Sequence, residues 1–526
     1  MSTKPKNKTT LKKKEVDQKE LLARVYVVIM LSIFPLYLNA DKYISLTKHK
    51  TVFLFVVTLL AFLSIPILYF TRFEGIKQRK PIKLPAPSFA GWMLLAFLFI
   101  TLLSTLFTPY PKNIFWGYAE RFDGFATQLL YGAIFLFVAR YYRPKEIDFV
   151  AFAVSSMLVS VIGIMQYYEM DFLSLFPYDR MPEFTGKTII FRTTLGNIDV
   201  VSSYLSITVV LFGMLYVKYP SKFRLLYLAA GAINTYMLMV AGAEAGMVGA
   251  MAAFVLSLPF IITDLKTLAR LLLVGGAYAL MIFLFNTSNV AAGTLNLLGS
   301  RWFLLSLTLA ALGGILFVLS GRVRFKPKAA TIRWIGVSLI VLVLAAGILA
   351  VEKIGMDPAT GTIYQAREML NGNMQDEFGT YRGFVWKRTL RVLQESTPLG
   401  QLLIGSGPDT FVDRFGPFQK EAKALLNIMY DKAHNEYLQI LICQGILGLA
   451  AYLTFLGAVL AKAAKRAFED PLLLACLLAC VSYLIQAFFS ISLPISTPAF
   501  WILLGLAAML SRKQNAETTP NDLRFP

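Results

Sequence analysis

Two histidines occur among the 526 residues, and one of them, His434, stands in "YDKAHNEYLQILICQGILG" at the mouth of a long apolar run. Imidazole is the side chain best suited to moving a proton near neutral pH. Its protonated form can instead hold a phosphate oxygen. Asp431, Lys432, Asn435 and Glu436 surround it in sequence, and the same setting suits an interfacial histidine that merely caps a helix. Three arginines lie in other segments between apolar runs: Arg121 in "YAERFDG", Arg192 before "TTLGN" and Arg382 in "TYRGFVW". Guanidinium grips phosphate in a fork, and a diphosphate needs more than one such contact. Taken singly, each arginine reads equally well as a surface charge or half of an ion pair. Aromatic residues accompany them in "NIFWGY" and "RGFVW", Trp386 included. Flat rings of this kind stack on sugars, and they also populate membrane interfaces. His49, in "TKHKT", lacks such neighbours and reads as solvated. Cys443, Cys476 and Cys480 all fall within apolar runs, and with two histidines they make no convincing zinc set. No metal and no cofactor is expected.

The elements that must position these groups are membrane helices. The chain is 56% hydrophobic, with a mean hydropathy of +0.60, too apolar for an ordinary soluble domain. About 20 apolar residues cross a bilayer core of roughly 30 Å. Segments of that kind recur near 22–40, 52–70, 88–107, 125–141, 148–168, 199–217, 225–241, 245–262, 270–286, 302–320, 334–351, 436–461, 471–490 and 495–511. The expected fold class is therefore an all-α polytopic membrane protein of about 14 transmembrane helices, with 12–14 as the range. The break at "VAGAEAGM" is the weakest boundary. A net charge of +20 could suggest nucleic acid, but the excess is confined to alternate connections and both tails. That is the positive-inside pattern, and it predicts cytoplasmic termini in a multi-pass membrane protein. No basic, aromatic-rich domain exists to bind nucleic acid.

The chain divides into a basic tail at 1–21, eleven spans over 22–351, a large extracytoplasmic loop at 352–435, three spans over 436–511 and a short cytoplasmic tail at 512–526. The large loop reads as a small helical cap. Phe384, Val385, Leu390 and Leu393 recur at helical spacing with Thr380 as a cap, and "RFGPFQKEAKALLNIMY" predicts a second helix.

"AHNEYLQILICQGILGLAAYL" resembles the bacterial O-antigen ligase and O-antigen polymerase family. That pattern is His, a small polar residue, nine residues, Gly, two residues and Gly, met here by His434, Asn435, Gly445 and Gly448. "YRGFVWKRTLRVLQESTPLGQLLIGSGPDTF" is similar to the family's large external loop, through Arg382, Trp386, Pro398, Leu399 and Gly407. "RTTLGN" and "WGYAERFDG" resemble two earlier family segments. Members commonly carry a Ser-Arg or Thr-Arg pair at the outer start of a mid-chain span, where this chain has Glu244. The resemblance therefore leaves that arginine's work to another, such as Arg192, or without a counterpart.

The resemblance implies a metal-independent, inverting glycosyltransferase. Its donor would be a glycan on undecaprenyl diphosphate, and its acceptor a hydroxyl of a glycan, lipid or protein at the outer face of the membrane. His434 would be catalytic, with Arg382, Arg192, Arg121, Asn435 and Trp386 binding the diphosphate and substrate. Two other readings remain. A transporter or flippase of lipid-linked glycans would need charged or broken helices near the midplane, and a non-catalytic relative would only bind the glycan lipid.

Overall fold

The computed structural model describes residues 18–71, 87–118, 121–175, 191–288, 297–322 and 329–512. Most of both predicted tails and of the basic connection "TRFEGIKQRKPIK" lies outside them. Each of the fourteen apolar segments contains helix. Among the described residues nine helices are long and apolar enough to cross a membrane, from Leu46–Leu68 to Glu436–Arg466. Four shorter apolar helices occupy further predicted segments: Phe125–Tyr141, Glu244–Leu256, Pro471–Ala487 and Thr497–Leu510. The first segment passes from α-helix (Gln18–Val28) through a π turn (Ile29–Ile33) into 3-10 helix (Phe34–Leu36). The chain is a multi-pass helical membrane protein. The uncertain boundary at 242–243 is a real turn between the helices Arg224–Ala241 and Glu244–Leu256.

Position in the bundle follows from packing and not from composition, since the most exposed spanning helix is more apolar than the most buried one. In the helix Ile198–Lys218 every residue from Val200 to Val217 is buried, Ser202, Ser203, Ser206 and Thr208 included, so it is the central helix of the bundle. It packs against Arg224–Ala241, Pro471–Ala487 and Glu244–Leu256. By contrast, only 6% of the Trp334–Ile354 window is buried, so that helix turns its leucines and valines outward to the hydrocarbon. Charge is not wholly absent from the spans. Lys50 is fully buried, with Nζ donating to the carbonyls of Phe34 and Pro35 at 2.8 and 3.1 Å. It satisfies acceptors that the irregular end of the first segment leaves open.

The large loop folds as a helical cap on the bundle. Phe384, Val385, Trp386, Phe411, Phe415 and Tyr430 form its core, together with Ile442 and Cys443 of the spanning helix Glu436–Arg466. Arg388 ties the cap together, pairing with Asp376 and Glu421 at 2.7 Å each and lying 3.9 Å from the Phe384 ring. The second predicted helix is present as Gly416–Leu426. Two details of the first are corrected. Leu390 is 42% exposed, because the buried stripe runs through Trp386, Thr389, Val392 and Leu393 instead. Thr380 does not cap the helix: Gly379, Thr380 and Tyr381 all take positive φ, breaking the segment before Arg382.

Candidate functional site

One of the resemblance's glycines, Gly445, acquires a reason in the helix that follows His434. The helix Glu436–Arg466 is interrupted at Gly445, which adopts φ +72°. A Cβ there would lie 2.4 Å from the Leu403 carbonyl oxygen, so the position has room only for hydrogen. The interruption falls about 14 Å along the helix, at 1.5 Å per residue. Backbone groups freed at that depth must be paired within the protein, and here they are. The carbonyl of Cys443 accepts from Ser104 Oγ at 2.7 Å and from the Gly407 N–H at 2.9 Å. That of Ile442 accepts from the N–H and Oγ of Ser406 at 3.2 and 3.0 Å. The "LLIGSGPDTF" stretch of the loop thus dips against the broken helix, and this is what its glycine-rich turn is for. Gly445→Ala is expected to destabilise the fold by on the order of 2 kcal/mol or more, since it combines a strained φ with a backbone clash. Thermal unfolding of the detergent-solubilised protein measures this.

His434 sits one residue before the N-cap of that helix, partly buried, with its own backbone at φ +50°. A non-glycine residue in this conformation costs roughly 1–2 kcal/mol and persists only where its surroundings hold it. The restraints are visible. Asn435 Oδ1 accepts from the Leu438 N–H at 3.0 Å, capping the helix. The Ala433 N–H donates to Gln439 Oε1 at 3.0 Å, and the Ala433 carbonyl accepts from Trp386 Nε1 at 3.0 Å. The Tyr430 ring stands edge-on to the imidazole at 6.4 Å.

Carboxylates and guanidinium groups surround the ring. Burial pushes the His434 pKa down, Asp199 and Asp431 oppose that, and Arg382 and Arg121 reinforce it. Arg382 donates to the Gly379 carbonyl at 2.6 Å and pairs with Asp199 at 3.5 Å. Its buried Nε has no hydrogen-bond partner among the described residues. Arg121 pairs with Asp431 at 2.5 Å. Burial works against the Asp431 carboxylate, but Arg121 holds its pKa below the ordinary value.

The structure therefore gathers His434, Arg382, Arg121 and Asn435 on the large-loop side of the bundle. Trp386 is nearby but is 5% exposed, packed on Phe378, Phe488 and Phe489. Its indole N–H donates to the Ala433 carbonyl, next to His434. Arg192 lies in a two-residue hairpin, Phe191–Arg192 against Gly196–Asn197, where it is 2% exposed and faces the Tyr167 ring at 5.0 Å. Burial lowers its pKa. The hairpin leads directly into Asp199, in the first turn of the central helix.

Four residues of the site were not singled out in the sequence: Asp199, Asp123, Asp409 and Lys432. Lys432 is 1% exposed and lies 2.7 Å from both Asp123 and Asp409. Burial opposes its charge, but the two carboxylates outweigh it and raise its pKa. Burial pushes Asp123 up to about 6. These groups border a cavity of about 30 Å³ that Glu436, Gln444 and Ser490 also line. A cue lay in their sequence context: Asp123 and Asp409 fall inside family-like stretches, and Asp199 lies two residues after another. Nothing in a lone "DKAHN" indicates that its lysine is buried.

Comparison with known families matches residues 288–453 to the family described as O-antigen ligase. A search of curated proteins found no match. The matched region includes Arg382, Trp386, His434 and the broken helix as far as Leu453, while Arg121, Arg192 and Asp199 come from the chain before it.

Proposed function

We propose, from the premise that residues 288–453 are an O-antigen ligase domain and the chain accordingly acts in polysaccharide assembly, that it transfers or polymerises a glycan carried on undecaprenyl diphosphate. In this reading about fourteen helices cross the cytoplasmic membrane, both termini are cytoplasmic, and the reaction takes place at the outer face. The observation that carries it is the convergence of His434, Arg382 and Arg121 at one end of the bundle. A scissile bond beside a lipid headgroup needs its catalytic groups at that level.

The chemistry assigned to the chain is a single displacement. An acceptor hydroxyl attacks the anomeric carbon from the face opposite the lipid diphosphate, giving inversion. The new C–O bond forms as the bond to the diphosphate oxygen breaks, and the leaving group departs with the electron pair. His434, kept neutral by burial, takes the proton from the hydroxyl. Arg382 offers its buried Nε–H to the diphosphate, and Arg121 supplies a second positive charge, so developing charge meets preorganised donors. No step requires a metal.

This assignment fixes the sign of the pH dependence. A base works deprotonated, so turnover should rise with pH through an apparent pKa below 6.5, the ordinary histidine value, and then level off. If His434 served as a cationic phosphate ligand, turnover would fall over the same window. A pH profile of initial rates in proteoliposomes distinguishes the two.

In cells, loss of function should leave the donor unused. With membrane levels matched, His434→Ala and Arg382→Ala should accumulate undecaprenyl-diphosphate glycans and lose the polymeric or ligated product. Product length in the wild type then separates polymerase from ligase. Unchanged donor pools in both variants would count against transfer and favour a transporter or a binding protein.

A further inference from the structure

Two ion pairs of opposite polarity join residues 121–123 to residues 431–432. Arg121 reaches Asp431 at 2.5 Å, and Lys432 reaches Asp123 at 2.7 Å. Lys432 also reaches Asp409 at 2.7 Å, and the second carboxylate oxygen of Asp409 accepts from the Tyr118 N–H at 2.8 Å. The three side chains are 1%, 7% and 2% exposed for Lys432, Asp123 and Asp409. Backbone geometry closes the same junction. Gly117 takes φ +89°, and a Cβ there would lie 2.5 Å from the Asp123 N–H nitrogen and 2.7 Å from Asp409 Oδ2.

Buried ion pairs of this kind are weak evidence for stability, since apolar replacements of equal volume are often neutral or better. What such a cluster supplies well is registry: one ammonium satisfies two carboxylates only when all three segments are in place. Each segment carries or supports a group of the site. Arg121 stands two residues before Asp123, His434 stands two residues after Lys432, and Asp409 belongs to the turn that seals the helix break. We infer that Lys432 is a positioning residue for the reaction, setting Arg121 and His434 at their working separation through Asp123 and Asp409. The inference rests on the transferase reading above.

The test uses the full chain in proteoliposomes, with undecaprenyl-diphosphate-linked glycan extracted from cells lacking the protein. Release of undecaprenyl diphosphate is followed per folded molecule. Asp123→Glu keeps the charge but lengthens the arm by one methylene. It should lower kcat by about tenfold while donor KM stays within about twofold, the pattern of a misplaced group. The neutral triple variant Lys432→Met, Asp123→Asn, Asp409→Asn removes the ionic cluster without stranding a charge. It should melt near the wild-type temperature yet show a similar or larger loss of kcat. If the triple variant does not fold, Asp123→Glu decides alone. Turnover within about twofold of wild type in Asp123→Glu, or in a folded triple variant, overturns the inference and leaves the cluster a purely structural part. An inactive His434→Ala beside unaffected cluster variants overturns the positioning role alone. A fully active His434→Ala overturns the transferase reading with it.

Discussion

Replacing His434 with Ala is expected to lower glycan transfer by roughly 10²–10⁴-fold, the range of a lost general base, while leaving the protein folded in the membrane. The fold should survive because the ring meets Tyr430 edge-on and the backbone around it is held by other residues. The strained backbone at φ +50° is held by neighbours: the Asn435 cap and the bonds to Ala433 from Trp386 and Gln439 remain. His434→Gln should be equally inactive, since an amide keeps the hydrogen bonding but cannot take a proton. The check is initial rate per folded protein, with size-exclusion profiles confirming the folded fraction. Activity in His434→Gln near that of wild type would limit the histidine to orientation.

Arg382→Ala should cost about 10²–10³-fold, comparable to removal of one preorganised donor facing developing charge. Arg382 is already fixed by the Gly379 carbonyl and Asp199, so little reorganisation is needed when a diphosphate meets its Nε–H. Arg382→Lys retains the charge without the fork and should recover only part of the loss. Removing Arg121 should cost less, because in this structure Asp431 occupies it at 2.5 Å and must be exchanged before it serves a substrate. Losing the arginine also strands Asp431 beside His434. Arg121→Ala should therefore raise the pH at which His434 titrates, because an anion near the ring loses its partner. Comparing rates with undecaprenyl-diphosphate donor across the three variants orders them.

The membrane fold was legible because its physics is one-dimensional: an apolar run of sufficient length becomes a helix whatever its neighbours are. All fourteen segments contain helix, and among the described residues nine helices meet the length and apolarity needed to cross. Depth within the bundle was not legible. Nothing in "IDVVSSYLSITVVLFGMLYVK" alone distinguishes a fully buried helix from the largely exposed one at 329–354. The same limit applies to the site. His434, Arg382 and Arg121 stand out by type and by family-like context, and the structure brings them together. Trp386 and Arg192 are both buried, a depth that their residue types and neighbours in sequence do not reveal. The sequence shows Lys432 only as a neighbour of His434, because its pairing with Asp123 spans 309 residues of chain. Partnership at that distance is set by packing, which spacing within a motif does not encode. The glycine pattern was readable as a resemblance, but its cause, a broken helix sealed by a distant turn, needed three dimensions.

The measurement that bears most directly on the account is release of undecaprenyl diphosphate from purified lipid-linked glycan by the wild-type protein in proteoliposomes, with metal chelated and His434→Ala run alongside. The account predicts one undecaprenyl diphosphate released for each glycosidic bond formed by the wild type, undiminished by chelator, and none above background from the variant. Bond formation and release at equal rates in both proteins would contradict it, as would donor that crosses the bilayer with its glycan still attached.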